Sequence, residues 1–367
     1  MLITVCWIIS LLSVVFNFAL VNYAKANPQW TETIYSRGIY PKIAAGLQFL
    51  HRFLNFSLAE LLLILLVLLA AGWLVLKIST SVRQYHEGVA LRNLLHRPFC
   101  FFITGFTLIA LFFQLSWGLN YYRYPIAEQL NLTVEETEPS LLRNVTLDLI
   151  QAANTLRSQL AESANGTMTL SGSLAYYLKA APSWYQTGYF DDLLPILDLT
   201  SPVKPVVLSG LMSFTQIIGF YFPYTGEANV NINVPDYQIL STMAHELAHR
   251  HGYAREDEAN FLAYLVTTQT YLNSEIRYSG TMLALAYCLN ACYQADAANY
   301  ATLYKELSDK VEADFAFSRS FWQMYEGPVE QVSTSINNSY LQSNDQTDGV
   351  QSYGRMVDLL IAFSRTK

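Results

Sequence analysis

Charge is what this sequence has least of. Asp, Glu, Lys and Arg make up 14% of its 367 residues while apolar residues reach 52%, against roughly 25% charged for a soluble domain. Part of such a chain is expected in lipid. Positive charge is scarcer still: 22 Lys and Arg face 29 Asp and Glu, for a net charge of -7, and no basic stripe exists that would take nucleic acid as a partner. Cysteine is too rare for a disulfide framework. Of the four, Cys6 and Cys100 sit in apolar runs, and Cys288 and Cys292 stand one helical turn apart in another, where thiols behave as small hydrophobes. There is no internal repeat.

The apolar material gathers at the start. Residues 2–21 and 99–119 hold no charge, and 58–76 hold only Glu60. Each run approaches the ~20 residues a helix needs to cross a bilayer, so three membrane helices are expected within residues 1–123. Ala24, Lys25 and Ala26 look like a signal-peptide cleavage site, but no basic stretch precedes the first run and its apolar part is too long. The basic residues Lys77, Arg83, Arg92 and Arg97 lie more densely between the second and third runs than Lys25, Arg37, Lys42 and Arg52 do between the first and second. Acidic Glu128, Glu135, Glu136 and Glu138 follow the third. That bias makes the second loop cytoplasmic and puts residues 124–367 outside the cytoplasm, in a multi-pass cell-membrane protein whose first partner is the bilayer.

From Tyr124 polar residues return. Thr133 with Glu136 forms a capping-box pattern that predicts a helix to about Glu162, and another is expected near 173–180. Residues 203–234, punctuated by Gly210, Gly219 and Gly226, read as strands. Within them "NVNINV" (229–234) alternates as a strand with one wet and one buried face does. After Pro235 helices are expected near 236–251, 255–273, 280–295, 299–317 and 350–364, with 259–272 a core helix rather than a fourth span. Residues 333–349, rich in Ser, Asn, Gln and Asp, read as a flexible surface loop. The fold class is an α-helical membrane segment of three spans followed by a mainly helical α+β domain with a small sheet.

The stretch "HELAHRHGYAREDEAN" (245–260) carries the chemistry. His245 and His249, four apart, project from one helical face so that two imidazoles reach one metal ion, and Glu246 between them stands beside the pair as a base. A tetrahedral catalytic Zn2+ takes three protein ligands and keeps one position open. On an unbroken helix Glu256 would sit roughly 10 Å beyond His249. Gly252 can end the helix in the left-handed conformation and turn the chain back. Glu256 and Glu258 then compete, and about 200° separates them around a helix. Asn260 shares a face with Glu256, where its amide can hydrogen-bond a ligand. Glu256 is the favoured third ligand, with Glu258 the fallback. His251, about 200° from His249, is not a ligand. His51, His86 and His96 read as interfacial, and Arg255 and Asp257 as a solvated helix start.

HExxH with a downstream ExxAN resembles the glutamate-type zincin metallopeptidases, in which the ligand stands four before an Asp or Asn, here Glu256 before Asn260. Asn for Asp is a departure from the usual pattern. "ELAHRHG" looks like the metzincin glycine turn, but Arg255 occupies the place of their third histidine. Nearly the whole chain resembles an uncharacterised family of bacterial membrane proteins with three N-terminal spans and the motifs "PYTGEANVN" and "HELAHRHGYAREDEANF". The resemblance implies a zincin-like domain. Spacing and resemblance lead to one expectation: a membrane-anchored zinc metallopeptidase, an endopeptidase, with Glu246 as general base acting on a peptide or protein substrate. Residues 224–233 are the candidate edge strand for pairing with that substrate. The alternative is a non-catalytic zinc-containing membrane protein that binds peptide or cell-envelope components.

Overall fold

The computed structural model describes residues 2–88, 91–135, 138–186 and 194–366. Three helices among them are long and apolar enough to cross a membrane. They are α1 (Leu2–Ala26) and, after a shorter α2 (Tyr40–His51), α3 (Leu58–His86) and α4 (Leu91–Ser116). The runs 2–21 and 58–76 lie inside the first two. The third ends at Ser116 rather than Leu119, because Trp117 leaves the helix (φ -160°, ψ -38°) and Gly118–Tyr122 wind into a 3-10 turn. Packing of α1 on α4 uses small and hydroxyl side chains: Ser10 Oγ lies 2.9 Å from Thr104 Oγ1, beside buried Cys6 and Cys100. Such residues let helix backbones approach where lipid removes the hydrophobic drive. In α3 none of the apolar span is buried within the protein.

The connection from α1 to α3 is folded. A π-helix (Thr31–Ile39) places Glu32 in the interior, where two nitrogens of Arg123 each donate to it at 2.8 Å and Arg37 donates at 2.7 Å. The first turn of α3 is held twice. Ser57 accepts from the Glu60 N–H, and the Glu227 carboxylate accepts from the N–H groups of Leu58 (2.9 Å) and Ala59 (2.6 Å). Those N–H groups have no partner within the helix, and a carboxylate both satisfies them and suits the helix dipole. His51 is not interfacial as expected but fully buried. Lys204 donates to the carbonyls of His51 and Leu54 and so ties the end of α2 down, leaving the His51 ring 3.2 Å from Ser201 Oγ. His86 and His96 are exposed.

The helix predicted from Thr133 to Glu162 is α5 (Pro139–Arg157). Proline stands at its first turn, where a missing N–H costs nothing; Glu136 of the capping-box pattern lies outside the described residues. Arg157 closes α5 with a buried 2.7 Å bond to Asp314. After α6 (Leu174–Ala180) come β1 (Lys204–Pro205), β2 (Gly219–Phe222) and β3 (Glu227–Val230), a three-stranded sheet of order β1-β3-β2. β3 pairs antiparallel with β2, Gly219 opposite Val230 and Phe222 opposite Glu227, and parallel with β1. "NVNINV" therefore departs from the expected strand in two ways. The strand ends at Val230 and lies in the centre of the sheet, not at an edge. Asn229 and Asn231 are also buried rather than wet: Asn229 Oδ1 accepts from Ser57 Oγ at 2.6 Å, and Asn231 Oδ1 accepts from the Asn233 N–H, a local turn that ends the strand.

The helical remainder is α7 (Asp236–Arg250), α8 (Glu256–Thr267), α9 (Ser274–Ala295), α10 (Ala297–Tyr304), α11 (Asp309–Gln323), α12 (Pro328–Ser343) and α13 (Met356–Ser364). The single helix expected over 299–317 is two, divided where Ser308 caps α11 by accepting from the Val311 N–H. α9 starts earlier than expected because Asn273 caps it. Residues 333–349 are not a loop: most of them belong to α12, opened by Pro328. One core forms around α7, α8 and α9. A second, containing Tyr35, Tyr40, Trp117, Tyr121, Tyr221 and Ala254, joins the α1–α3 connection and the end of α4 to β2 and the α7–α8 turn.

Candidate metal centre

α7 carries His245, Glu246 and His249 on its last two turns. Gly252 ends it with φ +86°, its N–H donating to the His249 carbonyl at 2.9 Å while the Tyr253 N–H reaches Ala248 at 3.1 Å. This conformation favours glycine, and a Cβ there would stand 3.0 Å from the Tyr40 ring. The reversal makes Glu256 the first residue of α8 and brings it back to the histidines. Its Oε2 lies 3.2 Å from His245 Nε2 and 3.3 Å from His249 Nε2, and the two Nε2 atoms are 3.0 Å apart.

Each imidazole is oriented through its other nitrogen. His245 Nδ1 lies 2.8 Å from Asn260 Oδ1 and His249 Nδ1 lies 2.8 Å from the Tyr253 carbonyl. Both partners accept, so both Nδ1 atoms carry hydrogen, and the neutral form of each ring presents its Nε2 lone pair toward Glu256. The two Nε2 atoms and the Glu256 carboxylate thus converge on one point. Nitrogen and oxygen donors in this set suit a divalent cation. Asn260 stands where the sequence placed it, beside a ligand candidate, and its amide nitrogen reaches the Tyr287 hydroxyl and the Tyr353 carbonyl, each at 3.3 Å.

Glu258 is not part of the group. Its Oε1 accepts from the Ile126 N–H (2.9 Å) and from Arg255 (3.2 Å). Arg255, expected to be solvated, is a partner of Glu258 and also donates to the Tyr121 carbonyl. His251 is buried and turned elsewhere, its Nδ1 accepting from the Leu197 N–H.

Glu246 lies beside the triad, buried, with Oε2 lacking a hydrogen-bond partner among the described residues. Burial pushes its carboxyl up to about 7 against the lowering pull of His245 and His249 and of the Tyr221 N–H. Burial opposes charge on His249 too, but neighbouring Glu256 outweighs it and lifts the imidazole to about 9; Glu256, which burial would raise, is held at about 2 by His249 and His245. β2 comes so close that a Cβ on Gly219 would lie 2.5 Å from Glu246 Oε1 and 2.7 Å from Thr242. A strand glycine here marks a close approach of backbone to a functional side chain.

The cleft over these groups has a volume of about 560 Å³ and is lined by aromatic and aliphatic side chains together with about as many polar ones. Several wall residues carried no mark in the sequence. Trp117, just past α4, donates from Nε1 to the His249 carbonyl at 3.0 Å, with its ring edge-on to that imidazole. Tyr353 stacks on His245 at 6.3 Å, and Gln346 accepts from the Glu256 N–H at 3.1 Å. Tyr340 of α12 accepts from the Tyr121 hydroxyl at 3.2 Å. Only α12 had a readable signal: Pro328 followed by apolar residues at 329, 332, 336 and 340 is helical spacing.

No curated protein and no solved structure matches the chain. One family does, with a match that runs from the connection after α1 to α13 and takes in the long apolar helices α3 and α4, the sheet and the whole triad. The chain belongs to the family described as Protein of unknown function (DUF3810), whose family model matches residues 35–361.

Proposed function

We propose that this protein is a membrane-anchored zinc peptidase of the zincin kind, with His245, His249 and Glu256 as metal ligands and Glu246 as general base. Zinc held by these residues would supply a Lewis acid able to lower the pKa of water from 15.7 to about 7. Glu246 takes the proton of the attacking water as the C–O bond forms on the peptide carbonyl, then gives it to the amine nitrogen as the C–N bond breaks. Asn260 and the Tyr253 carbonyl hold the two imidazoles in the required tautomer. β2, whose outer edge is not paired in the sheet, lies along the cleft and offers backbone groups to an extended peptide. The domain works outside the cytoplasm, in keeping with the basic residues between α3 and α4.

The observation that carries this reading is the carboxylate of Glu246, buried next to three converging donors and bound to none of them. A purely structural site has no use for it. The purified full chain in detergent should contain one zinc, and Glu246→Gln should keep that zinc while ending hydrolysis of a mixed peptide library. A zinc-loaded wild type that cleaves nothing in the library would instead make the cleft a binding module.

A further inference from the structure

Two apolar stretches border the cleft, and each is fastened to a different membrane helix. The first follows β1. Val207, Leu211 and Phe214 are 75%, 65% and 45% exposed, and the N–H groups of Val207 and Leu208 donate to the two carboxylate oxygens of Glu60 at 2.8 and 2.7 Å. Glu60 is in the first turn of α3, so this stretch is held at the level where α3 enters lipid. The second is the outer face of α12, where Val329, Val332 and Ile336 are all more than half exposed. The next residue on that face, Tyr340, meets Phe113 near the end of α4 with ring centroids 6.2 Å apart.

The two stretches are linked, since Phe214 packs edge-on against Tyr325 just before α12, at 5.0 Å. Between Pro205 and Ile218 there is no charged residue, and α12 has only Glu330. Their immediate neighbours, Thr215, Gln216, Ser333 and Asn337, face the cleft. Apolar surface of this extent, rimmed by polar residues, marks a contact site.

We propose that both stretches form one surface seated in the headgroup–acyl boundary of the bilayer crossed by α3 and α4, so that the cleft opens along the membrane. The occupant is lipid because each stretch is bonded or stacked to the domain-side end of a helix long and apolar enough to cross a membrane, which holds it at the level where that helix enters lipid. Interfacial elements of this type bury their apolar face about 5–10 Å deep. The surface does not depend on the cleft being a peptidase. Where it is one, its substrates are chain segments held close to a membrane.

The test reads depth, not activity. Leu211→Cys, Ile336→Cys and, as a water-exposed reference, Gln294→Cys are introduced singly into the full chain and given a nitroxide label. The four native cysteines are buried, and unsubstituted protein treated in parallel serves as the blank. In vesicles of phosphatidylcholine with a minority of phosphatidylglycerol, the ratio of collisions with oxygen to collisions with a water-soluble nickel chelate should be several-fold higher at 211 and 336 than at 294. A ratio like that of 294 at either position overturns the proposal. Shielding from both reagents also overturns it, because a second protein rather than lipid then covers the face.

Discussion

Two buried clusters in this protein are built from the same side chains, and they behave in opposite ways. In one, Glu227 spends both oxygens on the N–H groups of Leu58 and Ala59 and on the Thr225 hydroxyl, while Lys204 spends its ammonium on two carbonyls beside His51. In the other, His245, His249 and Glu256 aim their donor atoms at a common point and Glu246 keeps an oxygen unbonded. Histidine and glutamate buried together therefore do not by themselves indicate chemistry. What separates the clusters is where their charged groups point: Glu227 and Lys204 are spent on backbone groups and hold elements together, whereas His245, His249 and Glu256 converge on one another beside a carboxylate oxygen without a partner.

The largest separation should come from His249→Ala. Removing one of three ligands is expected to weaken zinc binding on the order of a thousandfold, about a third of the roughly 12 kcal/mol such sites hold, with the melting temperature of the metal-stripped protein little changed. Equilibrium dialysis against a zinc indicator measures the first and a thermal shift the second. Glu227→Gln should do the reverse, costing on the order of 3 kcal/mol because it turns an amide toward backbone donors, while zinc stoichiometry stays at one. Equal loss of metal in both variants would erase the distinction.

Asn260→Ala tests the link between α8 and the His245 tautomer. Its expected effect is about 10–100-fold on metal affinity, smaller than loss of a ligand, and isothermal titration would read it. The smallest effect is in pH. Burial, together with the charges of Lys204 and Arg250, holds His51 down to about 3, against an ordinary value of 6.5. The folded protein keeps this ring neutral, so its contribution is complete above pH 6.5 and declines as pH falls from 6.5 toward 3, where the unfolded chain takes up the proton. Melting curves at pH 7 and 5 should differ less for His51→Asn than for wild type. An unchanged difference would show that other groups set the acid limb.

The parts of the centre that could be read in advance are those governed by local helix geometry. Four-residue spacing put His245 and His249 together, a glycine at 252 brought the chain back, and helical angle allowed only one of Glu256 and Glu258, with Asn260 on the face of Glu256 favouring that one. Tertiary packing decided the rest. An alternating Asn–Val–Asn pattern is the same whether the asparagines face water or, as in β3, bond to buried neighbours. Nothing in the sequence around Trp117 announces that its indole reaches the backbone of His249, 132 residues away. The polar composition of 333–349 concealed α12 because Ser and Asn are weak helix formers, and here apolar spacing and Pro328 outweighed propensity.

The capping of α3 by Glu227 has a geometric outcome. At 1.5 Å per residue the 29 residues of this helix extend about 43 Å, some 13 Å beyond a hydrocarbon layer of about 30 Å. With its beginning pinned to the sheet, the helix cannot slide to share that excess between the two leaflets. In a bilayer crossed by this helix the overhang would fall at the opposite face, with the Arg83–Glu87 pair, 3.8 Å apart, carried clear of the acyl chains and Lys77 left near the boundary, on the side away from the cleft.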